Sequence, residues 1–222
     1  NEWSVISTIY IFYLLDFNFK SNFIQRKKLF MNVLILGCTG LIGSSLFFNL
    51  QKKDKLKVYG TTRKNIIKDN KNITYLNIKN NIDKDSIDNV LEIAKPKYVI
   101  NCLGITKHLI YSRNLENVEL INSEFPKMLK KSCDKFESKL IQISTDCVFH
   151  GSKGNYTELD EPDCDDTYGK TKIAGEIIDP NHLTIRTSTI GYELETQYGL
   201  LEWFLAQKDE CLGFRNAYFS GV

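Results

Sequence analysis

Tyr168 and Lys172 stand four residues apart, a spacing that puts both side chains on one face of a helix. In a chain this rich in lysine the spacing arises by chance about once. Tyr75 and Lys79 share it, and that pair reads as a strand end and its loop. What marks Tyr168 is its company. It follows the run Leu140-Ile141-Gln142-Ile143, which leads into Ser144-Thr145-Asp146, at the carboxyl end of a strand, where open α/β sheets bind their ligands. The group reads as a catalytic constellation.

A phosphate-binding constellation lies earlier in the chain. The run Val33–Leu36 leads into Gly37-Cys38-Thr39-Gly40-Leu41-Ile42-Gly43, and an apolar helical stretch follows. Glycines at these spacings allow a tight turn, close approach of backbone to a phosphate, and close packing of helix on strand. The helix start then offers free N–H groups and a positive dipole end to a pyrophosphate. The second strand indicates which nicotinamide dinucleotide is bound. A carboxylate at its end selects NAD, whereas here the strand ends Val58-Tyr59-Gly60-Thr61-Thr62-Arg63 with no acid. A 2′-phosphate is met by a forked cation, so NADP(H) is expected over NAD(H), with Arg63 its main contact.

These groups need strands to end beside them and helices to start there. Short apolar runs at Asn32–Leu36, Leu56–Gly60, Ile73–Leu76, Tyr98–Asn101, Lys139–Ile143 and Leu183–Arg186 alternate with helical stretches at Leu41–Lys52, Ile82–Ala94, Asn117–Phe136 and Tyr168–Ile178. Pro126 is expected to kink the third of these helices. Continuous apolar strands separated by helix-length segments argue for a parallel sheet covered on both faces. Right-handed crossovers then make it an α/β, Rossmann-type doubly wound domain.

Taken together, Gly37-x-x-Gly40-x-x-Gly43, Ser144-Thr145-Asp146-Cys147-Val148-Phe149-His150-Gly151 and Tyr168-Gly169-Lys170-Thr171-Lys172 resemble the extended short-chain dehydrogenase/reductases. Within them the likeness is to the dTDP-4-dehydrorhamnose reductase-like sugar-nucleotide reductases, and it runs from Met31 onward with Arg186-Thr187-Ser188 in register. The resemblance implies reduction of a ketone by NADPH, with Tyr168 as general acid and Lys172 easing ionisation of the phenol and holding the nicotinamide ribose. It implies that Thr145 orients the substrate oxygen and that Asp146 is a secondary acid or binder. On the cofactor side it implies Gly37, Thr39, Gly40, Leu41, Ile42 and Gly43 at the phosphates. Asn101 and Gly104, with Cys102 between them, border the ribose. Asn122 resembles the family's helix asparagine, which supports the site. The implied product serves deoxysugar or surface-polysaccharide synthesis in the cytoplasm.

Departures from the family leave the sugar open. The rhamnose-forming enzymes usually carry Tyr where this chain has Cys147, and Trp soon after Arg-Thr-Ser, where it has Thr189. Related 4,6-dehydratases place Glu after Thr-Asp; a cysteine there argues against dehydration. Cys147 itself reads as a small packed residue with no cation near it in sequence. Two alternatives use the same scaffold: a non-catalytic NADP-binding subunit, since the regulatory subunit of methionine adenosyltransferase resembles this family, and a nucleotide-sugar epimerase using bound NAD. Arg63 disfavours the latter.

The 222 residues are 42% hydrophobic and 25% charged, enough for a sizeable core. The net charge of +2 comes from Lys20, Arg26, Lys27 and Lys28 against Glu2 and Asp16, so basic and acidic residues balance from Met31 onward. Without a basic stripe, a nucleic-acid partner is not expected. The six cysteines are scattered with no C-x-x-C pair, which fits reduced thiols and no structural metal. Val5–Leu15 is apolar but only eleven residues long, and a spanning helix needs about 20. Residues 1–30 are read as an upstream extension or tail, with a membrane-surface anchor as the rival. Residues 31–187 are read as the NADP-binding domain and 188–222 as the start of a partial substrate-binding lobe. An apolar helical face near Glu116–Phe136 suits a homodimer contact or a covered core face equally well.

Overall fold

The computed structural model describes residues 30–62, 73–77, 83–110, 113–194, 197–213 and 215. Six strands, β1 (Met31–Leu36), β2 (Leu56–Thr62), β3 (Ile73–Asn77), β4 (Tyr98–Asn101), β5 (Lys139–Thr145) and β6 (Leu183–Thr187), form one sheet in the order 3-2-1-4-5-6. All five pairings are parallel. This is the Rossmann order, which reverses direction between β1 and β4 and opens a crevice there.

The pleat explains why β1 is apolar throughout. Its side chains alternate between faces: Val33 and Ile35 enter one core, Leu34 and Leu36 the other. The first core is closed by α1 (Leu41–Leu50) through Leu46, Phe47 and Leu50. The second is closed by α2 (Lys84–Ala94) through Ile87, Val90, Leu91 and Ala94, and by α5 (Phe125–Lys135) through Phe125, Leu129 and Cys133. The apolar face that suited either a dimer or a core is therefore in the core. Asp83 caps α2, its carboxylate accepting from the Ser86 N–H at 2.8 Å, and Lys95 ends it in the left-handed conformation at φ 42°.

The single kinked helix expected over Asn117–Phe136 is three pieces. After the short α3 (Lys107–Ile110), α4 (Leu115–Glu119) passes into a π-helical turn, Leu120–Glu124, and then into α5. Pro126 has no N–H and its ring crowds the carbonyl four residues back, so the chain widens there and the Phe125 N–H bonds to Leu120 O instead. The helix expected over Tyr168–Ile178 also stops early: α6 runs from Thr167 to Ala174. Gly175 lies against the π turn, where a Cβ would stand 1.9 Å from Asn122 O. Beyond it the Ile177 N–H and C=O are both taken by the Thr184 hydroxyl at 2.9 Å. After β6 comes α7 (Leu200–Leu205), none of whose residues is buried. Before it, Gly191 lies beside the Leu41 side chain at the start of α1, 3.3 Å from where a Cβ would be.

Candidate active site

The glycine loop sits at the sheet's reversal point. Gly37 has φ +75°, and a Cβ there would lie 2.9 Å from Leu103 Cδ2 and 3.4 Å from the Cys102 carbonyl, so this turn needs a residue without a side chain. Gly40 caps α1 with extended backbone and no side-chain bond. The first helical N–H groups thus have no intrahelical acceptor and point out of the helix start. The Thr61 hydroxyl accepts from the Gly37 N–H at 3.1 Å. Thr61 therefore serves the loop. Arg63 lies outside the described residues.

Across the crevice, Asn101 is fully buried and turned into the sheet. Its amide donates to Gln142 Oε1 at 2.8 Å and its oxygen accepts from the Leu103 N–H at 3.1 Å. It braces the Cys102–Gly104 turn instead of lining the crevice. Gly104 is exposed, and a Cβ on it would lie 3.7 Å from both Lys172 Nζ and Asn122 Oδ1. Burial pushes the Cys102 thiol up to about 12, against the pull of Lys172. Thr39 is half-buried, and Ile42 packs against the first core.

At the end of β5, Thr145 starts a 3₁₀ turn, Asp146–Val148, its hydroxyl accepting from the Cys147 N–H at 3.2 Å and donating to Asp146 Oδ1 at 3.2 Å. Asp166 starts α6 by accepting from the Gly169 N–H at 2.8 Å, and it takes the Lys107 ammonium on its other oxygen at 2.8 Å. Gly169 packs on the Cys147 carbonyl, 2.5 Å from where a Cβ would be, which brings the first turn of α6 onto the 3₁₀ turn. Thr145 and the first turn of α6, which bears Tyr168, thereby meet at the carboxyl end of β5.

The two members of the pair sit in different surroundings. Burial raises the Tyr168 phenol above its ordinary value, with Cys147, Asp146 and Asp166 adding to the effect and the Thr145 hydroxyl opposing it. Lys172 is 6% exposed and donates to Ile143 O at 2.8 Å. Burial depresses its ammonium to about 8, partly offset by Cys102 and Glu176. The phenol is thus a held proton at neutral pH, next to a buried amine that titrates within reach of neutrality.

Three features add to what the motifs gave. Lys107 supplies the cation that Cys147 lacks in sequence, yet burial dominates and keeps that thiol raised. Asn122, Ser123 and Thr171 form a polar joint: Asn122 Nδ2 donates to Thr171 Oγ1 at 3.2 Å and to Ile105 O at 3.0 Å, and Ser123 Oγ donates to Thr171 O at 2.9 Å. His182 carries no motif but ties β5 to α5, accepting from the Leu140 N–H at 3.0 Å and meeting Asp134 at 2.9 Å.

The comparisons fit this geometry. Residues 31–205 match the RmlD substrate binding domain family. The chain belongs to that family. It is 28% identical to methionine adenosyltransferase 2 subunit beta of Danio rerio over 66% of this chain and 43% of that protein. It is 27% identical to the dTDP-4-dehydrorhamnose reductase of Aggregatibacter actinomycetemcomitans over 82% of this chain and 59% of that one. The crystal structure of dTDP-4-dehydrorhamnose reductase from Bacillus anthracis in complex with NADP superposes with a TM-score of 0.59 at 22% identity, over 75% of this chain and 54% of that one; this is a likeness of fold. The RmlD-family chain described here thus spans roughly half the length of its relatives. Among the described residues no helix is long and apolar enough to cross a membrane.

Proposed function

We propose that this chain carries the cofactor-binding half and the proton-donating group of an NADP(H)-dependent reductase. The substrate is the 4-keto group of a nucleotide-linked deoxysugar, made for deoxysugar or surface-polysaccharide synthesis in the cytoplasm. The observation that carries the reading is the meeting of Thr145, at the carboxyl end of β5, with α6, which bears Tyr168 and the buried Lys172, beside the glycine loop at the sheet's reversal point.

The residues present fit the dinucleotide. Gly37, Thr39, Gly40, Leu41, Ile42 and Gly43 would hold its phosphates on backbone N–H groups, Cys102, Gly104 and Lys172 would border the nicotinamide ribose, and Arg63 would meet the 2′-phosphate. When bound, the reduced nicotinamide supplies a hydride. The chain's own part is the proton. Tyr168 Oη donates it to the ketone oxygen as that oxygen gains charge, and the raised phenol keeps the proton available at neutral pH. The Thr145 hydroxyl turns from Asp146 to the same oxygen and orients it. Lys172, cationic below about 8, then faces the new phenolate from the buried side.

The test is a fluorescence titration with NADPH and NADH, followed by NADPH oxidation with dTDP- and UDP-linked 4-keto-6-deoxysugars. Tighter NADPH binding, weakened by Arg63→Ala, together with turnover supports the reductase; NADH preference overturns the cofactor assignment. A second reading, a non-catalytic nucleotide-binding subunit, is favoured by the likeness to methionine adenosyltransferase 2 subunit beta. Saturable NADPH binding with no turnover of any of these sugars selects it.

A further inference from the structure

We propose that Glu176 is a positioning residue of this site, the point where the strand end carrying Thr145, the segment following Lys172 and β6 are tied together. Its consequence for turnover rests on the reductase reading.

The Glu176 side chain is 6% exposed and accepts from three donors. Ser144 Oγ donates to Oε1 at 2.7 Å, Arg186 Nε donates to the same oxygen at 2.9 Å, and Arg186 Nη2 donates to Oε2 at 2.8 Å. The carboxylate is gripped in the two-pronged geometry that only a guanidinium provides. Ser144 and Arg186 are register partners across the β5–β6 pair, so their side chains leave the sheet on one face and converge on one acid. The guanidinium in turn lies over the Phe149 ring at 5.1 Å, and Phe149 stacks on Tyr156 at 4.2 Å. The loop after Thr145 is therefore held by the same clamp.

A buried ion pair of this kind is a poor source of net stability, because desolvation offsets much of the attraction. Its yield is a fixed arrangement. Here that arrangement has Thr145 one residue from one prong and Lys172 four residues before the acid. The groups that bear on the Lys172 ammonium are Cys102 from the turn after β4 and Glu176; those that bear on Arg186 are Glu176 and Glu161. Among these the only carboxylate acting on Lys172 is Glu176, so it favours the amine's charge.

The test reads Lys172 directly in the full chain. Carbon-13 NMR of lysine-labelled protein follows its titration, with Lys172→Arg assigning the resonance. Glu176→Gln keeps the shape and removes the charge, and should lower the Lys172 titration. An unchanged titration overturns the proposal. This readout needs no turnover, so it stands or falls apart from the reductase reading. Where Glu176→Gln does not fold, Ser144→Ala decides, since it keeps the ion pair. A fall of about tenfold in kcat, with the NADPH KM and the melting temperature kept, supports positioning; wild-type kcat overturns it.

Discussion

Gly43 lies so close against Gly37 that a Cβ on it would stand 2.1 Å from the Gly37 carbonyl oxygen. Helix and loop touch backbone to backbone there, with no flexible side chain to give way. Gly43→Ala should displace the loop, weaken NADPH binding at least about tenfold and cost about 2 kcal/mol of stability. Gly40 is the control. A Cβ on it meets only Gly37 O at 3.5 Å, an ordinary contact, and Gly40→Ala should retain most of the affinity. Parallel fluorescence titrations and urea melts of the two variants check the contrast; equal behaviour would sink it.

On the proposed reading, Tyr168→Phe removes the proton donor and little else, since the ring stays in its half-buried place. Turnover of a 4-keto nucleotide sugar should fall by about 10²–10⁴ while the NADPH dissociation constant stays within about twofold. Loss of both together would mean that the phenol supports the fold rather than the chemistry.

Lys172 makes stability depend on pH in a defined direction. Its titration is lowered to about 8 in the folded chain from the ordinary lysine value of 10.5. Between those values the unfolded chain holds a proton that the folded one has released, so the residue's contribution makes stability rise with pH across that window. Below about 8 the buried charge is a cost. Lys172→Met should therefore be more stable than wild type at pH 7, by a few kcal/mol at most, and that advantage should shrink as pH approaches 10. Urea unfolding at pH 7, 8.5 and 10 measures it, and a constant difference would refute the assignment.

Asp166 does two jobs, capping α6 and pairing with Lys107. Asp166→Ala should lower stability by about 1 kcal/mol and lower kcat, because the capped turn carries Tyr168. Asp166→Asn keeps a capping oxygen and should regain most of the stability. The exposed ion pair adds little of its own, so a high-salt melt should leave wild type and Asp166→Asn nearly unchanged. A large salt effect would show that Lys107 matters more than the cap.

The strands were legible because each is a run of apolar residues wanted on both faces of a parallel sheet, and β1 shows both faces filled. The glycine loop was legible because its turn and close contact exclude side chains at fixed positions. Helix boundaries were less so. The expected single helix over Asn117–Phe136 broke into a π turn because Pro126 disturbs the ladder on its N-terminal side. The end of α6 is set by Gly175 meeting Asn122, a contact between segments far apart in sequence. Of the candidate site, Thr145, Tyr168 and Lys172 were readable from spacing and resemblance. Asn101 turned into the sheet, and Arg63 stays an expectation outside the described residues.

What the sequence by itself determined is local: where a strand can run, where a turn needs glycine, and which proton-handling side chains share a helix face. These follow from backbone sterics and the periodicities of helix and strand, which act over a few residues. Only the tertiary structure decided the electrostatics. Lys172 is depressed because distant elements exclude water from it, Tyr168 is raised by burial, with Cys147 and Asp146 adding to it, and Glu176 meets Ser144 and Arg186 because β5 and β6 pair in one register. Burial and charge proximity belong to the assembled sheet and its covering helices, so no segment carries them alone.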